Sequence, residues 1–203
     1  NDGSVIRLTT QRYYTPSGRC IQKEYGDNKK DYYLEQYTRD RKMEHPDSLI
    51  YTTKNGRTVY GGGGIMPDVF VALDTTDITD YYSNLIRGGH VNAYSLEFVN
   101  SNREQLKKKY PDVKAFIANF NTDASFMEGF FGYVSKEDPK LIFDQQAYDI
   151  SGKAIRTRIK SNIAQDLFGY SESYQIFNEL NEVVQKATML YKDKTYQTYD
   201  LAD

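Results

Sequence analysis

The period of the apolar residues changes near Asp74-Thr75-Thr76-Asp77, and this break constrains the fold more than any other feature. Before it, runs such as Val5-Ile6-Arg7-Leu8-Thr9-Thr10-Gln11-Arg12-Tyr13-Tyr14 are rich in β-branched and aromatic residues, the side chains that suit a pleated surface. After it, apolar residues recur at helical spacing. The expectation is an α+β chain: a small, mostly β portion over residues 1–76, followed by a helical C-terminal domain over residues 77–203.

In the first portion, Thr15-Pro16-Ser17-Gly18 ends the first run, because Pro16 presets φ and Gly18 tolerates positive φ. Ile50-Tyr51-Thr52-Thr53-Lys54 and Arg57-Thr58-Val59-Tyr60 flank Asn55-Gly56, which predicts a hairpin with a type I′ turn. Val69-Phe70-Val71-Ala72-Leu73 reads as a short strand entered through Pro67. A polar, tyrosine-bearing insertion lies between, with its polar part over residues 22–48 and a helix expected from Tyr32 to Arg41.

In the second portion, Tyr94, Phe98 and Val99 open a helical face that continues through Leu106 to Tyr110, where Pro111 starts a new segment. Ile155, Ile159, Ile163 and Leu167 recur every four residues, so a long helix is expected from an N-cap at Ser151 to a stop at Gly169. Ile176, Phe177, Leu180, Val183, Val184, Ala187 and Leu190 predict a second long helix from about Ser171. The two should pack as an antiparallel hairpin, with a loose tail over residues 196–203.

Bulk composition narrows the function classes. The chain has 203 residues, 39% apolar and 27% charged, enough for one domain or two small ones with a real core. A net charge of -2 lacks the basic footprint of a nucleic-acid or anionic-membrane binder. No apolar run approaches the roughly 20 residues of a membrane span, and no secretion signal is recognisable in the sequence. There are 19 Tyr and no Trp. Tyrosine at core boundaries explains this better than a sugar-binding platform, because the ring packs while the hydroxyl stays wet.

Candidate reactive residues form no complete site. Ser17, in Pro-Ser-Gly-Arg, reads as a turn filler; no Gly-x-Ser-x-Gly elbow is present. His45 before Pro46 and His90 after Gly88-Gly89 both read as surface residues remote from a carboxylate. Two histidines and the single Cys20 do not make a structural zinc site, and Cys20 reads as a small packed side chain at a strand end. Gly61-Gly62-Gly63-Gly64 lacks the Lys-Ser/Thr of a phosphate loop and reads as a closely packed connection. Glu137-Asp138 and Asp27 with Asp31 read as solvated carboxylates rather than a tuned acid–base pair. No catalytic, cofactor-binding or metal-ligating residue is therefore assigned, and no cofactor is expected.

Asp2-Gly3-Ser4, Leu8-Thr9, Tyr13-Tyr14-Thr15-Pro16-Ser17-Gly18-Arg19, Ile21-Gln22 and Gly64-Ile65-Met66-Pro67-Asp68 occur in a fixed order. This ordered set resembles the end of the protease domain in carboxyl-terminal processing peptidases, the tail-specific serine proteases. The resemblance covers residues 1 to about 74 and departs from simpler members by an insertion at about 22–61. It implies a bacterial-envelope or periplasmic endopeptidase acting on polypeptide substrates through a serine and a lysine, without metal or cofactor. In that family both catalytic residues, and a substrate-capturing PDZ domain, precede this stretch. The resemblance therefore implies a C-terminal portion, inactive alone, whose β segment completes a protease sheet and whose Thr15, Pro16 and Arg19 brace it. Open strand edges in such a portion predict self-association. A non-catalytic interaction or scaffold module is the alternative.

Overall fold

The computed structural model describes residues 2–23, 49–65 and 67–199. The expected helix at Tyr32–Arg41, His45 and the Asp27/Asp31 pair lie outside the described residues. The chain divides into two compact units, one formed by residues 1–73 with 189–203 and the other by residues 74–188. Among the described residues it is mostly helical, with one small antiparallel sheet, an α+β composition in the broad sense.

The sheet of the first unit is a hairpin of β1 (Ile50–Thr52) and β2 (Thr58–Tyr60), in register Ile50–Tyr60, Tyr51–Val59 and Thr52–Thr58. Tyr51 and Val59 are half-buried, and the residues flanking them on each strand are exposed. The turn differs from the expected type I′. Gly56 N–H donates to Thr53 C=O at 3.0 Å and Thr53 N–H to Arg57 C=O at 2.8 Å, and of the central residues only Gly56 has positive φ, at 86°. This is a three-residue connection, a type I turn closed by a left-handed glycine, which needs one positive φ rather than two.

Thr15-Pro16-Ser17-Gly18-Arg19 repeats that geometry. Gly18 N–H donates to Thr15 C=O at 2.8 Å, Thr15 N–H to Arg19 C=O at 2.9 Å, and Gly18 has φ 82°. The sequence Thr-x-x-Gly-Arg thus builds the same turn twice. Its flanks differ: beyond a single bridge between Tyr14 and Cys20, residues 5–13 form no strand among the described residues, and Val69–Leu73 is also irregular. Both strand expectations are corrected here. β-rich composition suits a residue to a sheet, but a strand exists only where a partner completes its hydrogen bonds.

The second unit is a helical bundle: α1 (Asp80–Arg87), α2 (His90–Lys109), α3 (Val113–Asn119), α4 (Ala124–Glu137), α5 (Gln145–Phe168) and α6 (Tyr170–Phe177). Four helices start on a side chain that accepts the N–H three residues ahead: Thr79, Asp112, Asp123 and Asp144, bonded to Tyr82, Ala115, Phe126 and Ala147 at 2.8–3.2 Å. The α2 face is as expected, with Val91, Val99 and Leu106 buried and the helix ending at Lys109 before Pro111.

The central helix is α5, which packs against α1, α2, α3 and α6. Ile155, Ile159 and Ile163 are wholly buried, as their four-residue spacing requires. Its start is corrected: Asp144 caps it, and Ser151 lies inside the helix, fully buried. Ser151 Oγ donates to Asp77 C=O at 2.8 Å, accepts from Thr79 N–H at 3.2 Å, and lies 2.7 Å from Thr79 Oγ1. The hydroxyl expected to cap its own helix instead ties the entry of α1 to the middle of α5.

Gly169, at φ 129°, ends α5, and α6 folds straight back over it. Ser161 Oγ donates to Ser173 C=O at 3.0 Å, and the Arg158 guanidinium lies over the Phe177 ring at 4.9 Å. The antiparallel hairpin is thus present, but the second long helix is not continuous. A 3₁₀ turn at Asn178–Leu180 separates α6 from α7 (Glu182–Lys192), and α7 buries none of its residues. Of the expected loose tail, the described part forms a 3₁₀ turn at Thr195–Tyr199, and residues 200–203 lie outside the described residues.

Aromatic rings fill the space around α5. Phe116 and Phe120 stack at 4.6 Å, and Tyr94 meets Phe126, Phe130 and Tyr133 at 5.3–5.6 Å. Tyrosine accordingly sits at the core boundary here, with Tyr81 and Tyr110 buried and Tyr94, Tyr133 and Tyr148 half-buried.

Candidate functional site

The sequence-level candidates resolve mostly into structure. Ser17 Oγ lies 2.9 Å from Thr15 Oγ1 inside the turn, a polar filler. Cys20 is half-buried opposite Tyr14. A Cβ on Gly61 would fall 2.8 Å from the Tyr51 ring, and one on Gly62 (φ 79°) 2.7 Å from Leu49, so the glycine run is a close-packed connection rather than a phosphate cradle. Among the described residues no group of His, Cys, Asp and Glu is placed to hold a metal ion.

His90 requires a correction. It opens α2, its side chain is 12% exposed, and Nε2 lies 3.5 Å from Asp138 Oδ2. Gly89 (φ 72°) turns the chain between α1 and α2, and the C-cap of α4 brings Asp138 alongside. A histidine read as a surface residue remote from acid is therefore tucked against a carboxylate. No hydroxyl bonds to it among the described residues, so the pair lacks the nucleophile of a triad. Asp138 and Glu137 do not act together: Glu137 approaches Lys136 at 4.0 Å on the surface, and Asp138 faces His90.

Lys160 is the other residue whose setting bears on serine–lysine chemistry. Burial lowers the pKa of its amine, and Glu179 opposes that shift. Its Nζ donates to Ile117 C=O at 2.8 Å, at the C-terminal turn of α3. It completes a helix end rather than activating a hydroxyl. Arg103 does the same for α5 through Asp166 C=O at 3.0 Å.

The helical unit carries an aromatic recess and a polar one. One, of about 570 Å³, lies between α4, Phe143 and the start of α5. The Phe131 ring lies 4.5 Å from Phe143 and 5.1 Å from Tyr148, and Arg156 Nη1 donates to Tyr148 Oη at 3.0 Å. Tyr81 stands behind Phe143. Burial, with smaller contributions from Asp144 and Tyr148, pushes its hydroxyl up to about 12. The other recess is polar and lies between α2, α5 and α6, around Arg158, Asn162 and Gln165. None of these residues was singled out from sequence, because each recess is assembled from more than one helix, α4 with α5 in the first and α2, α5 and α6 in the second.

The segment 81–169 matches a family described as "Family of unknown function (DUF8443)", a span of less than half the chain. The aromatic recess lies wholly within that span. No curated protein matches the chain. No solved structure matches it either.

Proposed function

We propose that this chain is the C-terminal portion of a carboxyl-terminal processing serine endopeptidase of the serine–lysine type, to which it supplies structure and contacts rather than the nucleophile or base. One observation carries the reading beyond the ordered motifs. Val5, Ile6 and Leu8 are 91%, 90% and 78% exposed on an irregular segment of strand-forming composition. Such a run gains hydrogen bonds and burial by joining a sheet. The proposal is that this sheet belongs to the peptidase core, that Thr15–Arg19 braces it, and that the substrates are polypeptides of the bacterial envelope.

The test uses the uninterrupted reading frame that contains this chain, assayed on an unstructured reporter protein. The expected result is cleavage toward the reporter's C-terminus and at least a tenfold lower kcat/KM for Val5→Asp with Ile6→Asp, about 1.4 kcal/mol. No cleavage by the complete product, or unchanged cleavage by the double variant, overturns the reading.

A second reading, a non-catalytic interaction module, is favoured by α7. This helix buries none of its side chains, and Val183 and Met189 are 59% and 46% exposed. An amphipathic helix in that state suits docking to a partner.

A further inference from the structure

The polar recess between α2, α5 and α6 has the shape and chemistry of a ligand groove. Two adjoining cavities, of about 290 Å³ toward α2 and 120 Å³ toward α6, share Arg158, Asn162 and Gln165 on one face of α5. Its walls are planar hydrogen-bonding groups. Asn162 Nδ2 donates to Asn92 Oδ1 at 2.6 Å, which leaves the side-chain carbonyl of Asn162 as an acceptor and the amide N–H₂ of Asn92 as a donor. Gln165 and Asp166 continue that wall. At the other end, Tyr170 and Tyr174 are 64% and 41% exposed, with rings 5.1 Å apart and hydroxyls at 3.1 Å. When one hydroxyl donates to the other, the second keeps its proton for a ligand.

Arg158 joins the two cavities. Its Nε is shut from solvent with no hydrogen-bond partner, and its guanidinium is held on the Phe177 face. No carboxylate pairs with it among the described residues. This contrasts with Arg57, which is ion-paired to Asp68, and with Arg103, which is bonded to Asp166 C=O. The buried Nε is out of a ligand's reach, but the terminal amino groups of the stacked guanidinium make no hydrogen bond or ion pair among the described residues, and these are the donors suited to an incoming carboxylate. The neighbouring amides, Asp166 and tyrosine hydroxyls are suited to hydroxyl groups, and exposed tyrosine rings to the flat face of a sugar.

We infer that this groove binds an acidic oligosaccharide of the uronic-acid type, with Arg158 receiving a carboxylate, Asn92 and Asn162 receiving hydroxyls of an adjacent residue, and Tyr170 flanking a sugar ring. The inference stands apart from the peptidase reading, because every residue it uses lies in the helical unit and that reading gives none of them a role.

The experiment is a titration of the ¹⁵N-labelled chain with tetragalacturonic acid, followed by amide shifts. Saturable shifts confined to residues around 92, 158–166 and 170–177 are expected. Arg158→Lys, which keeps the charge and stem but loses the fork, should weaken binding about tenfold. Tyr170→Ala, at an exposed position, should weaken it by a smaller factor with the amide spectrum otherwise unchanged. Neutral maltotetraose should bind at least about tenfold more weakly than the acid. Absence of saturable shifts overturns the inference, as does equal binding of maltotetraose. Equal binding of poly-glutamate at the same residues also overturns it, because the groove would then recognise charge on a peptide rather than a sugar acid. If Arg158→Lys fails to fold, unchanged affinity in Tyr170→Ala still counts against it.

Discussion

The two parts of this chain satisfy their backbones by different means. In residues 74–188 each main helix closes its own hydrogen bonds, and side chains finish the ends: Asp112, Asp123 and Asp144 at starts, Arg103 and Lys160 at later carbonyls. Apolar faces then meet around α5 until Phe116, Phe130 and the three isoleucines lose all solvent contact. In the first unit, two Thr-x-x-Gly-Arg turns are fully bonded, yet the strand-forming run beside one of them stays exposed. Local structure needs only its own residues, whereas a sheet needs a neighbour.

The sharpest way to break this contrast is Phe130→Ala. Phe130 is wholly buried against Tyr94 and Phe131, so its loss should cost about 3–5 kcal/mol and lower or abolish the cooperative thermal transition of the helical unit. A loss below about 1 kcal/mol would mean that α4 does not pack as described.

Ser151→Val comes next. The buried hydroxyl bridges Asp77 and Thr79, and its removal takes a partner from half-exposed polar groups of the α1 entry, at about 0.5–1.5 kcal/mol in chemical denaturation. The smaller Ser151→Ala, which adds no volume, separates this from overpacking: a loss below about 0.5 kcal/mol there would show that the hydroxyl joins nothing.

A third effect appears only in alkali. The folded Tyr81 hydroxyl has its pKa raised from 10.0 to about 12. The folded state therefore holds its proton where the unfolded state has released it. Stability from this group is complete below pH 10 and is lost as pH rises toward 12. In Tyr81→Phe, the fall of melting temperature across that window should be shallower than in the parent. Parallel curves would show that Tyr81 is not buried as described.

The smallest effect is expected in the first unit. Ile6→Ser should change the stability of the isolated chain by no more than about 0.5 kcal/mol, because the side chain is already 90% exposed. A larger loss would reveal a partner for this segment and erase the contrast between the units.

Several elements were legible in the residues themselves. The Ile155-Ile159-Ile163-Leu167 stripe predicts a buried helix face, and Asn55-Gly56 predicts a hairpin, because both depend on spacing and backbone freedom within a few residues. The errors lie at boundaries. Ser151 and Asp144 are both good N-caps by residue type, and only the contact with Thr79 explains why Ser151 is inside the helix. His90 follows two glycines and reads as exposed, but the return of α4 brings Asp138 to it. The proposed groove was equally hidden, since Asn92, Arg158 and Tyr174 share no pattern along the chain and meet only when α6 folds over α5.

By itself, then, the sequence determined the elements: where the helical period begins near Asp77, which faces are apolar, and where glycine permits a left-handed turn. Those properties arise from sterics and spacing over one or two turns of chain. Only the tertiary structure decided which hydroxyl joins two helices, which histidine meets an acid, and which arginine stacks on a ring with its Nε unpartnered. Each of these depends on side chains brought together from distant positions, an arrangement that the packing of whole helices selects and that no local pattern encodes.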